Sequence, residues 1–232
     1  MMNRVRDTES TRTPQRGIEP RRVPVQARSR ERVERILDAA AQLLSDQGYD
    51  AVKTNLIAKR AGVSIGSIYQ FFPNRFAIFN ALADRYRTKI ASALSKTMGP
   101  ESPDRPWEEA LEDGFESLAE MWRNDWAFHM VWLAIQNTAE LTEARERYRE
   151  MLINEELVYF LRRILPDRSG SRLQAIARVM LEAGNVLLDQ SMRNGGAQDP
   201  LVIDELKFLM HSYIDAHVKS ARATSGGPEA RS

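Results

Sequence analysis

Apolar residues recur at steps of three and four along almost the whole chain from Arg30 onward, the period of helices with one buried face. Val33, Ile36, Leu37, Ala40 and Leu44 form the first such stripe, and Gly48 is expected to end it as a left-handed cap. A short helix is predicted from about Thr54 to Ala61, and another from Ile65 to about Phe72. Pro73 bars simple continuation, and Asn74 can cap a fourth helix, about Arg75 to Lys96, carrying Phe76, Ile78, Phe79, Leu82 and Tyr86. The stretch MGPESPDRP, Met98 to Pro106, interrupts the pattern and separates a small N-terminal unit from a larger helical one. Beyond it, helices are predicted near 107–123, 125–138, 142–165, 171–193 and 200–220. Asp125, Pro166, Asp167, the Asn194-Gly195-Gly196 turn and Pro200 mark their ends. No stretch alternates with the period of two that a sheet requires, so the fold class is all-α.

Composition narrows the setting. In 232 residues, 43% apolar and 28% charged residues are the balance of an ordinary globular protein with a sizeable core. No apolar run reaches the roughly 18 residues of a membrane span, and the N-terminus lacks the apolar core of a secretory signal. There are no cysteines, which excludes disulfides, a thiol nucleophile and thiolate metal sites. A cytoplasmic protein is expected, without membrane contact. The net charge of +1 conceals a division: residues 1–91 hold 17 Lys or Arg and 9 Asp or Glu, whereas the remainder holds 16 and 23. A basic N-terminal third on an acidic remainder suits one part that meets phosphate and another that does not. Residues 1–28, rich in Arg, Pro, Ser and Thr, are expected to be a disordered basic arm, and 221–232 a disordered tail.

The stretch Thr54 to Arg75, TNLIAKRAGVSIGSIYQFFPNR, carries the function. Thr54 can cap the second helix, and Ala61 lets two helices approach closely. Gly62 supplies the positive φ of a tight turn, Val63 plugs that turn, and Ser64 caps a third helix that begins with the small or uncharged Ile65, Gly66 and Ser67. Two helices joined by a short Gly-containing turn form a helix-turn-helix, whose second helix enters the DNA major groove. Ile57, Ile68, Phe71 and Phe72 read as core. Lys59 and Arg60 read as solvated charges. Gln70 can read adenine through its amide or simply face water.

Together with the first helix (RILDAAAQLLSDQGYDAV), IAKRAGVS and SIYQFFPNR, this stretch resembles the TetR family of bacterial regulators over about residues 30 to 90. The resemblance implies phosphate contacts from Thr54, Tyr69 and Arg75, with Lys53 alongside. It implies base-edge or groove contacts from Ser64, Ile65, Gly66, Ser67 and Gln70. Arg28 and Arg30, with Arg32, would reach the backbone or an adjacent minor groove. Departures from the family pattern are Lys53 in place of a common Thr, Arg75 in place of Lys, and Phe76 in place of a frequent Glu. The implied architecture is an N-terminal three-helix helix-turn-helix DNA-binding domain, residues 29–90. A larger C-terminal helical domain, 91–220, would bind effector and dimerise.

Within the larger part, the last two helices carry Leu173, Ile176, Ala177, Met180, Leu181, Gly184, Leu187 and Leu188, then Leu206, Leu209, Met210, Tyr213 and Ile214. The small residues Ala177 and Gly184 suit a four-helix interface between two subunits. The segment Phe115 to Gln136 is rich in large residues. Phe115, Met121, Trp122, Trp126, His129, Met130 and Trp132, with Tyr148, Met151, Glu155, Tyr159, Met180 and Asn185, are the candidates for an effector cavity. Gln136, Glu182 and Asp189 are further polar candidates, and His211 and His217 read as surface or interface residues.

These readings converge on a dimeric, sequence-specific DNA-binding regulator. Its expected partners are a double-stranded palindromic operator and a small hydrophobic or aromatic effector that releases it, with homodimerisation through the last two long helices. No cofactor or metal is expected. The alternatives are a constitutive or partner-controlled regulator or activator, and an enzyme on a helical scaffold. The last lacks HExxH, a P-loop, a dinucleotide fingerprint and GxSxG, and its three histidines lie far apart in sequence.

Overall fold

The computed structural model describes residues 27–102, 104–192 and 198–225. Among these, every regular element is helical: α1 (Ala27–Gln47), α2 (Thr54–Ala61), α3 (Ile65–Phe71), α4 (Arg75–Thr97), α5 (Trp107–Asn124), α6 (Trp126–Asn137), α7 (Thr142–Met151), α8 (Val158–Ile164), α9 (Gly170–Ser191) and α10 (Pro200–Ser225). No described helix is long and apolar enough to cross a membrane. Capping fixes several starts. Ser64 Oγ accepts the Ser67 N–H at 3.1 Å, Asn74 Oδ1 accepts the Ala77 N–H at 3.0 Å, and Ser169 accepts the Arg172 N–H at 3.4 Å.

Helices α1 to α3 form a compact N-terminal unit around Ile36, Leu44, Ile57, Ile68 and Phe72, all essentially sealed from solvent. It is not isolated. α1 packs on α6, and α4 packs on α1, α5, α6 and α7, so one apolar core runs through the whole molecule. Polar contacts reinforce the junction. Arg85 on α4 reaches Asp38 at 2.6 Å and Glu34 at 3.3 Å on α1, and Arg147 on α7 donates to the buried Asn80 amide oxygen on α4. Asp125 ends α5 and caps α6. Its Oδ1 accepts both the Phe128 N–H and the Tyr86 hydroxyl at 3.1 Å, and Lys89 lies 3.8 Å from Oδ2.

Several sequence expectations need correction. Gly48 does follow α1 with a positive φ of 77°, but ψ is −179°, so it is an extended glycine conformation and not a left-handed cap. Thr54 does not cap α2. Lys53 is the N-cap, without a side-chain bond, and Thr54 opens the helix with its hydroxyl turned toward Tyr69. The predicted helix 142–165 contains a π-helical segment, Leu152–Leu157, between α7 and α8. That segment winds wider than an α-helix and re-aims the face beyond it, which a strict 3.6-residue stripe cannot reveal. Arg28 lies within α1, so the basic arm predicted for 1–28 ends earlier, and its residues 1–26 lie outside the described set. The same is true of the Asn194-Gly195-Gly196 turn.

Two corrections concern the last helices. α10 continues to Ser225, beyond the predicted tail start at 221, because Ala221 still packs against the core. The stripe Leu173, Ile176, Ala177, Met180, Leu181, Gly184 and Leu188 on α9 is buried within this chain. Gly184 is buried between Phe115 and Met210, which a Cβ there would meet at 3.9 and 4.0 Å, so this face of α9 is turned into the subunit. The outward face of α9 holds Val179 and Val186 instead, flanked on α10 by the exposed Leu201, Phe208 and Leu209.

Asp125 joins a helix cap, a buried tyrosine and the α4–α6 contact, so Asp125→Ala should cost about 1–3 kcal/mol in urea unfolding. Adding Tyr86→Phe to that variant should cost clearly less than Tyr86→Phe alone. Additive losses would mean that the Tyr86–Asp125 bond contributes nothing.

Candidate nucleic-acid interface and apolar cavity

Gly62 makes the turn between α2 and α3 at φ 62° and ψ 39°, a left-handed conformation that favours glycine, and the Val63 N–H closes it on the Ala58 carbonyl at 3.1 Å. Ile68 and Phe71 anchor α3 in the core. Its other face carries Ile65 and Tyr69, each 43% exposed, with Ser64, Gly66 and Gln70 also open to solvent and Ser67 half-buried. This face has no charged side chain. The Thr54 and Tyr69 hydroxyls lie 3.4 Å apart, which ties the start of α2 to α3. A Cβ on Gly66 would meet only Ser64 Oγ, at 3.8 Å, so nothing inside the chain demands glycine there.

Around this face, Arg28, Arg30, Arg32, Lys53, Lys59 and Arg75 have no carboxylate partner among the described residues. Arg60, by contrast, is paired with Asp46 at 2.5 Å. The Arg75 guanidinium sits over the Tyr49 ring at 5.0 Å and the Phe76 ring at 5.2 Å, a cation–π seat that holds it half-buried at the start of α4. Tyr49 also accepts a 3.3 Å hydrogen bond from the Thr138 hydroxyl, between α6 and α7.

The second feature is an apolar cavity of about 40 Å³ at the far end of α4. Leu94 and Met98, Phe115 and Leu118 of α5, Tyr148, Leu152 and Leu157, and Met180, Leu181, Gly184, Asn185 and Leu188 of α9 line it. The two leucines of the middle group, Leu152 and Leu157, are the ends of the π-helical segment. Phe115, Tyr148, Met180 and Asn185 were among the sequence candidates, while the leucines, Met98 and Gly184 were not. Leucine stripes carry no signal that separates cavity wall from solid core.

The remaining candidates lie elsewhere. Trp122 packs against Phe128, His129 and Trp132 with ring centroids 5.3, 5.1 and 6.1 Å apart, and Trp126 meets His129 at 4.8 Å. Met121 and Met130 are partly buried beside this layer, and Met151 is buried. The rings of this layer pack against one another in tilted and edge-on contacts, and none of these residues lines the cavity. His129 is buried, its Nε2 3.0 Å from Asp189 Oδ1, and its Nδ1 has no partner. Glu155 and Tyr159 face outward, on the outer side of the π-helical segment and α8. Glu182 pairs with Arg149. No group of three or more His, Asp or Glu among the described residues could hold a metal ion.

A buried helix-turn-helix with an uncharged reading face and a rim of unpaired cations defines a DNA-binding protein. Residues 36–82 match the model of the bacterial regulatory proteins of the tetR family, and residues 106–214 match the model of the tetracyclin repressor-like C-terminal domain. The chain belongs to the TetR family of DNA-binding transcriptional regulators. It is 38% identical over 68 residues to the transcriptional repressor KstR of Mycobacterium tuberculosis, covering 29% of this chain and 31% of KstR. To the HTH-type transcriptional regulator YxaF of Bacillus subtilis it is 28% identical over 160 residues, 66% of this chain and 83% of YxaF. The chain thus spans about a third of KstR's length. A TetR-family regulator from Streptomyces coelicolor superposes with a TM-score of 0.61 at 29% identity, over 80% of this chain and 98% of that one. The family is one of transcriptional regulators, not enzymes.

Beside the cavity, Glu156 is buried on the π-helical segment, and its Oε2 has no hydrogen-bond partner. It approaches Gly99 so closely that a Cβ there would fall 2.6 Å from Oε2. Burial, then the neighbouring Glu155 and Glu101 carboxylates, raise its pKa above the ordinary value. The folded protein therefore keeps this proton to higher pH than the unfolded chain does. Glu156 stabilises below the ordinary carboxylate pKa, and that contribution is lost as pH rises through the folded-state value. Glu156→Gln should melt higher than wild type at about pH 7.5 and show no gain at about pH 4. The same shift at both pH values would contradict a titrating Glu156.

Proposed function

We propose that this regulator is a repressor that binds a palindromic operator as a homodimer and is released by a small hydrophobic effector. The carrying observation is the span of α4, which begins with Arg75 beside the reading face and ends with Leu94 at the cavity wall, Met98 just beyond it. Its 23 residues form a rod of roughly 34 Å. An effector that prefers one seating of this rod must reciprocally weaken the DNA-bound arrangement. Residues 29–90 act as the DNA-binding domain and 91–220 as the effector-binding and dimerisation domain. Thr54, Tyr69, Arg75 and the cations of α1 hold phosphates, while Ile65, Gly66, Ser67 and Gln70 meet base edges. Two-fold symmetry supplies the second reading helix, and the exposed Val179, Val186, Leu201, Phe208 and Leu209 support pairing through α9 and α10.

A reading without inducer draws on the narrowness of the cavity, about 40 Å³, which is too small for a drug-sized ligand unless side chains turn. Met98 and Met180 in or at its wall favour the inducible reading, because methionine repacks easily. Identical operator affinity with and without every ligand that enters the cavity would decide for the constitutive reading.

Fluorescence anisotropy on DNA upstream of the protein's own gene, across a salt series, should exceed a scrambled duplex by about a thousandfold. Arg75→Ala should weaken both duplexes alike and lower the log–log salt slope by about one, whereas Gln70→Ala should erode discrimination. Equal affinity for both duplexes would direct the operator search to the rest of the genome, and failure there would remove the specificity claim. In sedimentation, wild type should run as a dimer and Phe208→Glu as a monomer. A dimeric Phe208→Glu would move the interface off α10.

A further inference from the structure

Two polar groups stand out in the wall of an otherwise apolar cavity. Asn185 is 8% exposed and its amide has no hydrogen-bond partner among the described residues. The Tyr148 hydroxyl likewise has none, although its ring is held 5.3 Å from Trp132. Glu182, whose charge acts on Tyr148, precedes Asn185 by three residues on α9, and Tyr148 and Asn185 both line the cavity. Polar side chains set in an apolar wall are mostly paired, and these two line the cavity without a partner. An amide oxygen, an amide NH₂ and a phenol together offer both acceptors and donors. Neither Lys, Arg nor His lines the cavity. The nearest charges bearing on it are carboxylates, Glu182 beside Tyr148 and the unpartnered Glu156 next to Leu157. Glu182 is already neutralised by Arg149, so it does not call for a cationic ligand.

Resting on the effector reading above, we infer that the cavity takes a neutral ligand with an apolar body and a single hydroxyl or carbonyl head, bound between Asn185 and Tyr148. A carboxylate or phosphate head would be buried in a wall that holds no cation, with the unpartnered Glu156 close by, which disfavours it strongly. A fully apolar ligand would leave the amide and the phenol unsatisfied. The body is accommodated by turning Met98 and Met180. A Cβ on Gly114 would fall 2.8 Å from Met98 Cε, so this glycine gives the Met98 side chain the room it occupies on α5.

Calorimetry with three probes sharing one ring tests this: toluene (no head), p-cresol (neutral head) and p-toluate (anionic head). On the full-length protein, p-cresol should bind about tenfold more tightly than toluene, the gain of satisfying one or two buried groups. p-Toluate should bind on the order of 100-fold more weakly than p-cresol. Tyr148→Phe removes one oxygen and little else, and Asn185→Leu keeps the volume. In either variant toluene should bind as in wild type, while the p-cresol advantage shrinks severalfold. If toluene and p-cresol bind wild type equally, or the advantage survives in Tyr148→Phe, the head-group assignment falls and the cavity stands as an effector site. If p-toluate binds as well as p-cresol, neutrality is overturned. If none of the three binds to folded protein, both the head-group assignment and the effector cavity are lost.

Discussion

Helix α4 is the member against which both parts of this molecule are built. Ala77, Ile78, Phe79, Leu82, Tyr86, Ile90 and Leu94 bury one continuous face along its length, and neighbours on several sides, α1, α5, α6 and α7, pack against it. The DNA-facing unit therefore has no core of its own that ends at a linker. Its first helix already touches α6, and Arg85 and Tyr86 extend the apolar contact with ion pairs and a hydrogen bond to Asp125. A close-packed interior does not deform gradually, and under the proposed function this is what lets a disturbance at Leu94 reach Arg75 at the other end of the helix.

That continuity also explains where space is left. Trp122, Phe128 and Trp132 interlock ring against ring, with Phe128 against Tyr86 of α4, and none of them lines the cavity. Next to them, leucines and methionines from the end of α4, from α5 and from α9 meet the π-helical segment, where the backbone is wider. The cavity sits there. Its wall is made of the residues that adapt most easily, with one amide and one phenol at its polar side.

Electrostatics divides the surface by the same logic. Arg105, Arg123, Arg149 and Lys207 are engaged with carboxylates of the larger helical part, and Arg85 with those of α1. The cations at the starts of α1, α2 and α4 are left without partners, beside a reading face that is itself uncharged. In the proposed function, the rim cations without a carboxylate partner meet phosphates and the neutral centre with Ile65, Gly66 and Gln70 meets base edges.

Much of this was legible in the sequence, because it depends on local chemistry. Gly62 needs a positive φ, Ser64 and Asn74 cap by bonding the backbone three residues on, and Ile68 and Phe71 fall on one side of a short helix. Those features, with the resemblance of residues 30 to 90, establish the helix-turn-helix without reference to anything distant. The C-terminal site was not legible in the same way. Periodicity identifies a buried face but not what it is buried against, so the tryptophans of α5 and α6 read as cavity wall and proved to be filled core. Glu155 and Tyr159 faced outward because the widened turn from Leu152 to Leu157 sits within a stripe that looks uniformly helical. The small residues of α9 pointed into the subunit, leaving Val179 and Val186 outside. The sequence by itself determined the helices, their caps and the reading head, since each follows from residues within a few positions of one another. Only the tertiary structure decided which apolar residues enclose space and which fill it, because a void is a property of how distant side chains fail to meet.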